Sequence, residues 1–259
     1  MSKELHNMNI IPRFSLNFNA RPLEPISLLV LHYTGMRTAQ EALLRLCDPA
    51  AQVSAHYVVD EDGTIYQLVE EEMRAWHAGV SCWRGRENIN DLSIGVEIVN
   101  PGHEFGYRPF PAAQMEAVAA LCNDIVERHP AIEPRNVVGH SDIAPERKED
   151  PGELFDWAWL ASRGVGLWPG QDSGIGNRES GEENSMRQEA RLENRASPEP
   201  RPMGRAGGET RGQLQDFGYS MENMEKTILA FQRHFRPASL TGHWDEQCDT
   251  ILAKLLEMV

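Results

Sequence analysis

Five short runs, residues 26–33 (ISLLVLHY), 54–59, 64–69, 93–99 and 136–139, are rich in Val, Ile and Leu and carry apolar residues toward both faces of a strand. Successive strand side chains point to opposite faces, so such a run has to be covered on both. Helical signals fall between the runs. Thr38, with Glu41 three residues on, is a capping-box start for a helix through Cys47. Met115, Val118, Leu121, Cys122, Ile125 and Val126 form an apolar stripe at helical spacing. Asp62-Gly63 separates two of the runs and is a hairpin-turn signal. The pattern predicts an α/β fold with a sheet covered on both faces.

The pattern stops near Pro169. Of the 42 residues from 171 to 212, only Ile175, Met186, Leu192 and Met203 are large and apolar, and no aromatic occurs. Such a stretch cannot bury enough surface to offset its ordering entropy, which predicts a disordered linker. Apolar spacing returns in residues 213–259, which read as three short helices. The expected division is an N-terminal extension (1–21), a main α/β domain (22–170), the linker (171–212) and a helical module (213–259). The last is marginal alone and needs to dock on the first domain. The formal charge of the 259-residue chain is −14. An acidic chain is repelled by phosphate backbones, which argues against a nucleic-acid partner. The aliphatic runs are too short to span a bilayer. The first residues lack the apolar core of a secretory signal, giving a cytoplasmic expectation, with periplasmic or released forms as alternatives. The four cysteines are scattered, as expected of a fold that does not rely on disulfides.

Polar residues at the ends of the apolar runs are the candidates for chemistry. His32 ends one run and His140 follows another; alone, each would more often be a structural histidine. Asp150 precedes Pro151-Gly152, and its plain reading is a turn former. Two histidines and a carboxylate nevertheless make up the ligand set of a catalytic zinc site with one open position. Glu97 lies inside an apolar run, where a carboxylate is costly unless paired or functional; beside a metal it would serve as general base. Lys148, two residues before Asp150, is either a solvated loop lysine or an oxyanion stabiliser. Arg147 is a candidate grip for a substrate carboxylate, and His77 a candidate cleft residue. Tyr33 and Asn100 complete the candidate substrate contacts. His56 reads as structural and His103 as exposed. HExxH, CxxC, P-loop, GxSxG and dinucleotide fingerprints are absent from the sequence.

The segments LVLHYTG, SAHYVVDEDGTIYQLV, AWHAG, LSIGVEIVNPG and VVGHSDIAPERKEDPG, in this order over residues 22–168, together resemble the type 2 N-acetylmuramoyl-L-alanine amidases. The resemblance implies a central mixed β-sheet flanked by helices. It implies that His32, His140 and Asp150 bind one Zn2+ ion, that Glu97 is the catalytic acid/base and that Lys148 assists at the oxyanion. Some members carry a tyrosine where this chain has Ala55, or a cysteine where it has Asp150; both choices resemble the muropeptide-amidase branch. The implied substrates are peptidoglycan fragments or muropeptides, with polymeric wall as the alternative. A non-catalytic sensor on the same fold is a second alternative. The tail is similar to a degenerate three-helix peptidoglycan-binding module, for which ligand binding and a purely architectural role are both open, as is the oligomeric state.

Overall fold

The computed structural model describes residues 8–170 and 208–259. Its strands are β1 (Ile10–Pro12), β2 (Phe18–Ala20), β3 (Leu28–Tyr33), β4 (Tyr57–Val59), β5 (Ile65–Gln67), β6 (Met73–Ala75), β7 (Cys82–Trp83), β8 (Arg86–Glu87), β9 (Ser93–Ile98) and β10 (Val137–Gly139). Six of them form a mixed sheet in the order β1-β5-β4-β9-β3-β10. Only the β4–β5 pair is antiparallel. Its turn is the one expected at Asp62-Gly63: Asp62 Oδ1 accepts from the Thr64 N–H at 2.8 Å, and Gly63 has φ +88°. The apolar run at 54–59 yields a shorter strand than its length suggests. Ser54 exchanges hydrogen bonds with Trp76 and Asn17 before the ladder begins at Tyr57.

Both faces of the sheet are covered. On one, Leu29, Leu31, Ile94, Val96 and Ile98 pack with Met115, Val118, Leu121, Cys122 and Ile125 of the helix Ala112–Arg128. On the other, Leu28, Val30 and Val138 pack with Trp83, Ile89 and the C-terminal helices. Further along this second face, Val58 and Val99 pack with Leu46 of the helix Ala39–Cys47. That helix starts as expected, with Thr38 Oγ1 accepting from the Glu41 N–H at 3.1 Å.

Two expected boundaries shift. The segment set apart as an N-terminal extension contributes structure: β1 pairs in parallel with β5, and β2 pairs with β6 in a small antiparallel sheet. Each is three residues long, too short to carry a periodic signal of its own. The tail does form three helices, Gly208–Phe217, Met224–Phe235 and Glu246–Glu257, the first starting inside the range assigned to the linker. The rest of that range, 171–207, lies outside the described residues. The tail docks, as its size requires. Leu214, Phe217, Tyr219, Phe231, Phe235, Trp244 and Leu252 share one buried cluster with Val30 and Val138 of the sheet. Among the described residues, no helix is long and apolar enough to cross a membrane.

Candidate metal centre and cleft

Alternation along the central strands places the site. Leu28 and Val30 face the C-terminal helices, so His32, next in that series, emerges on the same side. The parallel register sets His32 opposite Glu97 and Val30 opposite Gly95. Val138, opposite Val30, leads on to His140 just beyond the strand end. His32, Glu97 and His140 therefore rise from one face of three adjacent strands, which lie about 5 Å apart. The short helix His140–Ile143 and the loop that follows it bring in Asp150.

The three expected ligands meet. His32 Nδ1 lies 2.9 Å from His140 Nδ1, and each lies 3.0 Å from Asp150 Oδ2. All three residues are buried. Burial, together with the neighbouring His140, brings His32 down to about 4, which keeps it neutral and able to act as a ligand. Burial opposes ionisation of Asp150, but His140 and His32 outweigh it and hold the carboxyl well below the usual range. Tetrahedral zinc holds histidine nitrogens at about 2.0–2.1 Å, which separates its ligand atoms by about 3.3 Å. The triangle is close to that size, and its nitrogen and carboxylate donors fit a divalent cation.

His140 and Asp150 line a cleft of about 560 Å³ on the second face of the sheet, with His32 buried against them. The helix Ala39–Cys47 contributes Arg45 and Leu46 to its lining, the loop before Asp150 contributes Arg147, Lys148 and Glu149, and the helix Met224–Phe235 contributes Lys226 and Arg233. Glu97 also lines the cleft, and its Oε2 is buried without a hydrogen-bond partner. Burial and then the Asp150 carboxylate push the Glu97 carboxyl well above its usual value, with Lys148 opposing.

The other expected contacts separate into two groups. Tyr33 lines the cleft, its hydroxyl 3.1 Å from His103 Nδ1 at the rim. Arg147 borders the cleft, but its Nε and Nη2 donate to the carbonyls of Val80 and Ala78 at 2.6–2.8 Å, so most of its donors brace that loop. His77 is buried, with Nδ1 3.1 Å from His32 Nε2. Asn100 is not a cleft residue: its Nδ2 donates to the Arg108 carbonyl at 2.7 Å and its Oδ1 accepts from the Gly102 N–H at 3.0 Å. Both ends of the amide are spent on the backbone of one loop, which corrects its assignment as a substrate contact. His56 is buried, its Nδ1 accepting from the Gly95 N–H.

Ser93, Asn90, Lys226 and Arg233 also belong to the site or its surroundings, although none was a candidate from the sequence. Ser93 carried the same signal as Glu97, a polar residue inside an apolar run. Lys226 and Arg233 carried none, because only the docking of the tail brings them to the cleft.

The N-acetylmuramoyl-L-alanine amidase family model matches residues 22–153, which include all three ligands, Glu97 and Lys148. The amidase AmiD of Escherichia coli (strain K12) is 37% identical over 253 residues, covering 90% of this chain and 83% of that protein. The structure of E. coli AmiD in complex with anhydro-N-acetylmuramic acid-L-Ala-D-γ-Glu-L-Lys matches with a TM-score of 0.71 at 36% identity, covering 93% of this chain and 92% of that one. AmpDh3 of Pseudomonas aeruginosa, in complex with an anhydromuramic pentapeptide, matches with a TM-score of 0.72 at 33% identity, covering 91% and 92%. On this match across nearly the whole chain, the protein belongs to the N-acetylmuramoyl-L-alanine amidase family of hydrolases.

Proposed function

We propose that the protein is a zinc-dependent amidase that cleaves the bond between the lactyl group of N-acetylmuramic acid, in its 1,6-anhydro form, and L-alanine of the stem peptide. The observation that carries this reading is the triangle of His32 Nδ1, His140 Nδ1 and Asp150 Oδ2, with separations of 2.9–3.0 Å, at the wall of a cleft that His140, Asp150 and Glu97 line. The anhydromuramyl peptides bound by AmiD and AmpDh3 support the choice of substrate. Zinc held by the three ligands would supply Lewis acidity, polarising the scissile carbonyl and acidifying water.

The chain's own residues do the rest. Glu97 takes the proton of the attacking water and returns it to the nitrogen of the leaving L-alanine. Its partly buried, unpartnered carboxyl is suited to both steps, because no hydrogen bond within the protein competes for the proton. Lys148 presents its ammonium to the oxyanion of the tetrahedral intermediate. Lys226 offers a cation to a carboxylate of the stem peptide, while Arg233, which also lines the cleft, is paired with Glu149 at 2.8 Å. A preference for soluble fragments would assign the enzyme to peptidoglycan recycling.

The test compares rates on 1,6-anhydro-muropeptide and on intact sacculi. Peptide release from the anhydro-muropeptide should be the faster, should stop with a chelator and should return with zinc. Glu97→Ala should retain zinc and lose about 10²- to 10⁴-fold in turnover. Full turnover by that variant, or by the chelated enzyme, would overturn the mechanism. Faster release from sacculi would favour a wall-lytic role.

A further inference from the structure

The hydrogen-bond partners of the two ligand histidines determine where each ring carries its proton. Asn90 Oδ1 accepts from the backbone N–H groups of His77 at 3.1 Å and Ala78 at 2.8 Å, which pins both residues. The Ala78 carbonyl lies 3.0 Å from His140 Nε2. A carbonyl only accepts, so His140 Nε2 carries the hydrogen and the Nδ1 of the neutral ring is a bare lone pair.

The second branch runs through two side chains. Ser93 Oγ donates its one hydrogen to the Ile89 carbonyl at 2.7 Å. It can therefore only accept from His77 Nε2, 3.1 Å away. His77 Nδ1 is then a lone pair, and it accepts from His32 Nε2 at 3.1 Å. This leaves His32 Nδ1 bare as well, facing His140 Nδ1 and Asp150. The space for the relay is built into the sheet. A Cβ on Gly95 would lie 2.4 Å from His77 Cγ, so only glycine at this strand position admits the ring.

We propose that residues 77 and 78 set the tautomers of both histidine ligands before any ion arrives. His77 and Ser93 are the positioning residues for His32, and the Ala78 carbonyl serves His140. His77 borders the cleft and Ser93 is fully buried behind it. Their effect is to present two lone pairs and a carboxylate, an arrangement that repels itself unless a cation lies between them. The inference rests on the metal-site reading of the cleft. Loss of an outer hydrogen-bond partner of this kind typically weakens metal binding by about 10- to 100-fold.

The test uses the full-length chain. Long-range ¹H–¹⁵N spectra of the metal-free protein, labelled at histidine, should show hydrogen on Nε2 of both His32 and His140. Zinc affinity, measured by competition with a chromophoric chelator, should fall about 10- to 100-fold in His77→Leu and less in Ser93→Ala. His77→Asn should recover most of it, because the asparagine Oδ1 stands where the imidazole Nδ1 stood. Hydrogen on Nδ1 of either ligand in the metal-free wild-type protein would overturn the proposal, as would a His77→Leu protein that binds zinc as tightly as wild type. Should His77→Leu not fold, Ser93→Ala decides. A new Nδ1–H signal on His32 supports the relay, and unchanged tautomer and affinity refute it. A wild-type chain with both Nε2–H signals that binds no zinc would support the proton order and refute the metal reading, so the two failures are distinguishable.

Discussion

Lys148 and Asn100 show how far a residue's chemistry depends on what surrounds it. Lys148 lines the cleft two residues before a ligand. Lys148→Ala should lower kcat by about 10²- to 10³-fold, the usual cost of losing one oxyanion donor, while zinc content by atomic absorption stays at the wild-type level. Asn100 is only 1% exposed and bonds the backbone at both ends of its amide. Asn100→Ala should cost about 1–3 kcal/mol in urea unfolding, through unsatisfied backbone groups, with KM unchanged in whatever enzyme remains folded. In the sequence the two residues looked alike, as polar positions beside family motifs. Glu97 was legible because a carboxylate inside an apolar run is costly without a role, whereas His32, His140 and Asp150 became candidates together, through their residue types and the family motifs that hold them. Which polar residue faces the cleft and which faces its own loop depends on partners distant in the chain.

The elements are joined by a second buried polar cluster. Glu71, in the turn before β6, accepts from the Tyr57 hydroxyl at 2.8 Å, from Arg128 at 2.6 Å, and lies 2.6 Å from His129 Nε2. It ties the C-terminal end of the helix Ala112–Arg128 to β4. Burial opposes its ionisation, but the bonds from Arg128, His129 and Tyr57 prevail and lower its pKa below 4.5. A carboxyl with a depressed folded-state pKa contributes stability above its unfolded pKa and loses it as pH falls through the folded value. Glu71→Gln should therefore destabilise by about 1–3 kcal/mol at neutral pH. The difference in Tm from wild type should shrink as pH drops below 4.5 and vanish once the wild-type carboxyl is protonated; a gap independent of pH would contradict the assignment. The strands and helices that this cluster joins were legible from period and capping. The three-residue strands β1 and β2 were not, because segments that short take their conformation from the edges they pair with.

Across the whole molecule, the C-terminal helices are a layer of the core and a wall of the cleft. Phe231 is fully buried among Tyr219, Phe235 and Trp244. Phe231→Ala should cost about 3–5 kcal/mol and lower the Tm of the whole chain in a single transition; a separate melt of the tail would show an independent module. Tyr219 and His234 both reach the Asp142 carboxylate, at 2.7 Å each, so this layer also braces the turn that begins at His140. Lys226→Ala should raise KM for a muropeptide about threefold to fivefold with kcat unchanged, as expected for an exposed charge pair with substrate worth about 1 kcal/mol or less. The amino-acid sequence by itself determined the α/β class and the main strands and helices, and it singled out His32, His140, Asp150 and Glu97 as candidates. The elements follow from local periodicity, Glu97 from the cost of a carboxylate in an apolar run, and the joint candidacy of His32, His140 and Asp150 from their residue types and the resemblance to the amidase family. Only the tertiary structure decided that the tail covers the sheet, that Lys226 and Arg233 reach the cleft, and that His77 stands at the cleft wall between His32 and Ser93. These depend on contacts between segments up to two hundred residues apart, where the free energy lies in the fit between surfaces and no single segment carries its signature.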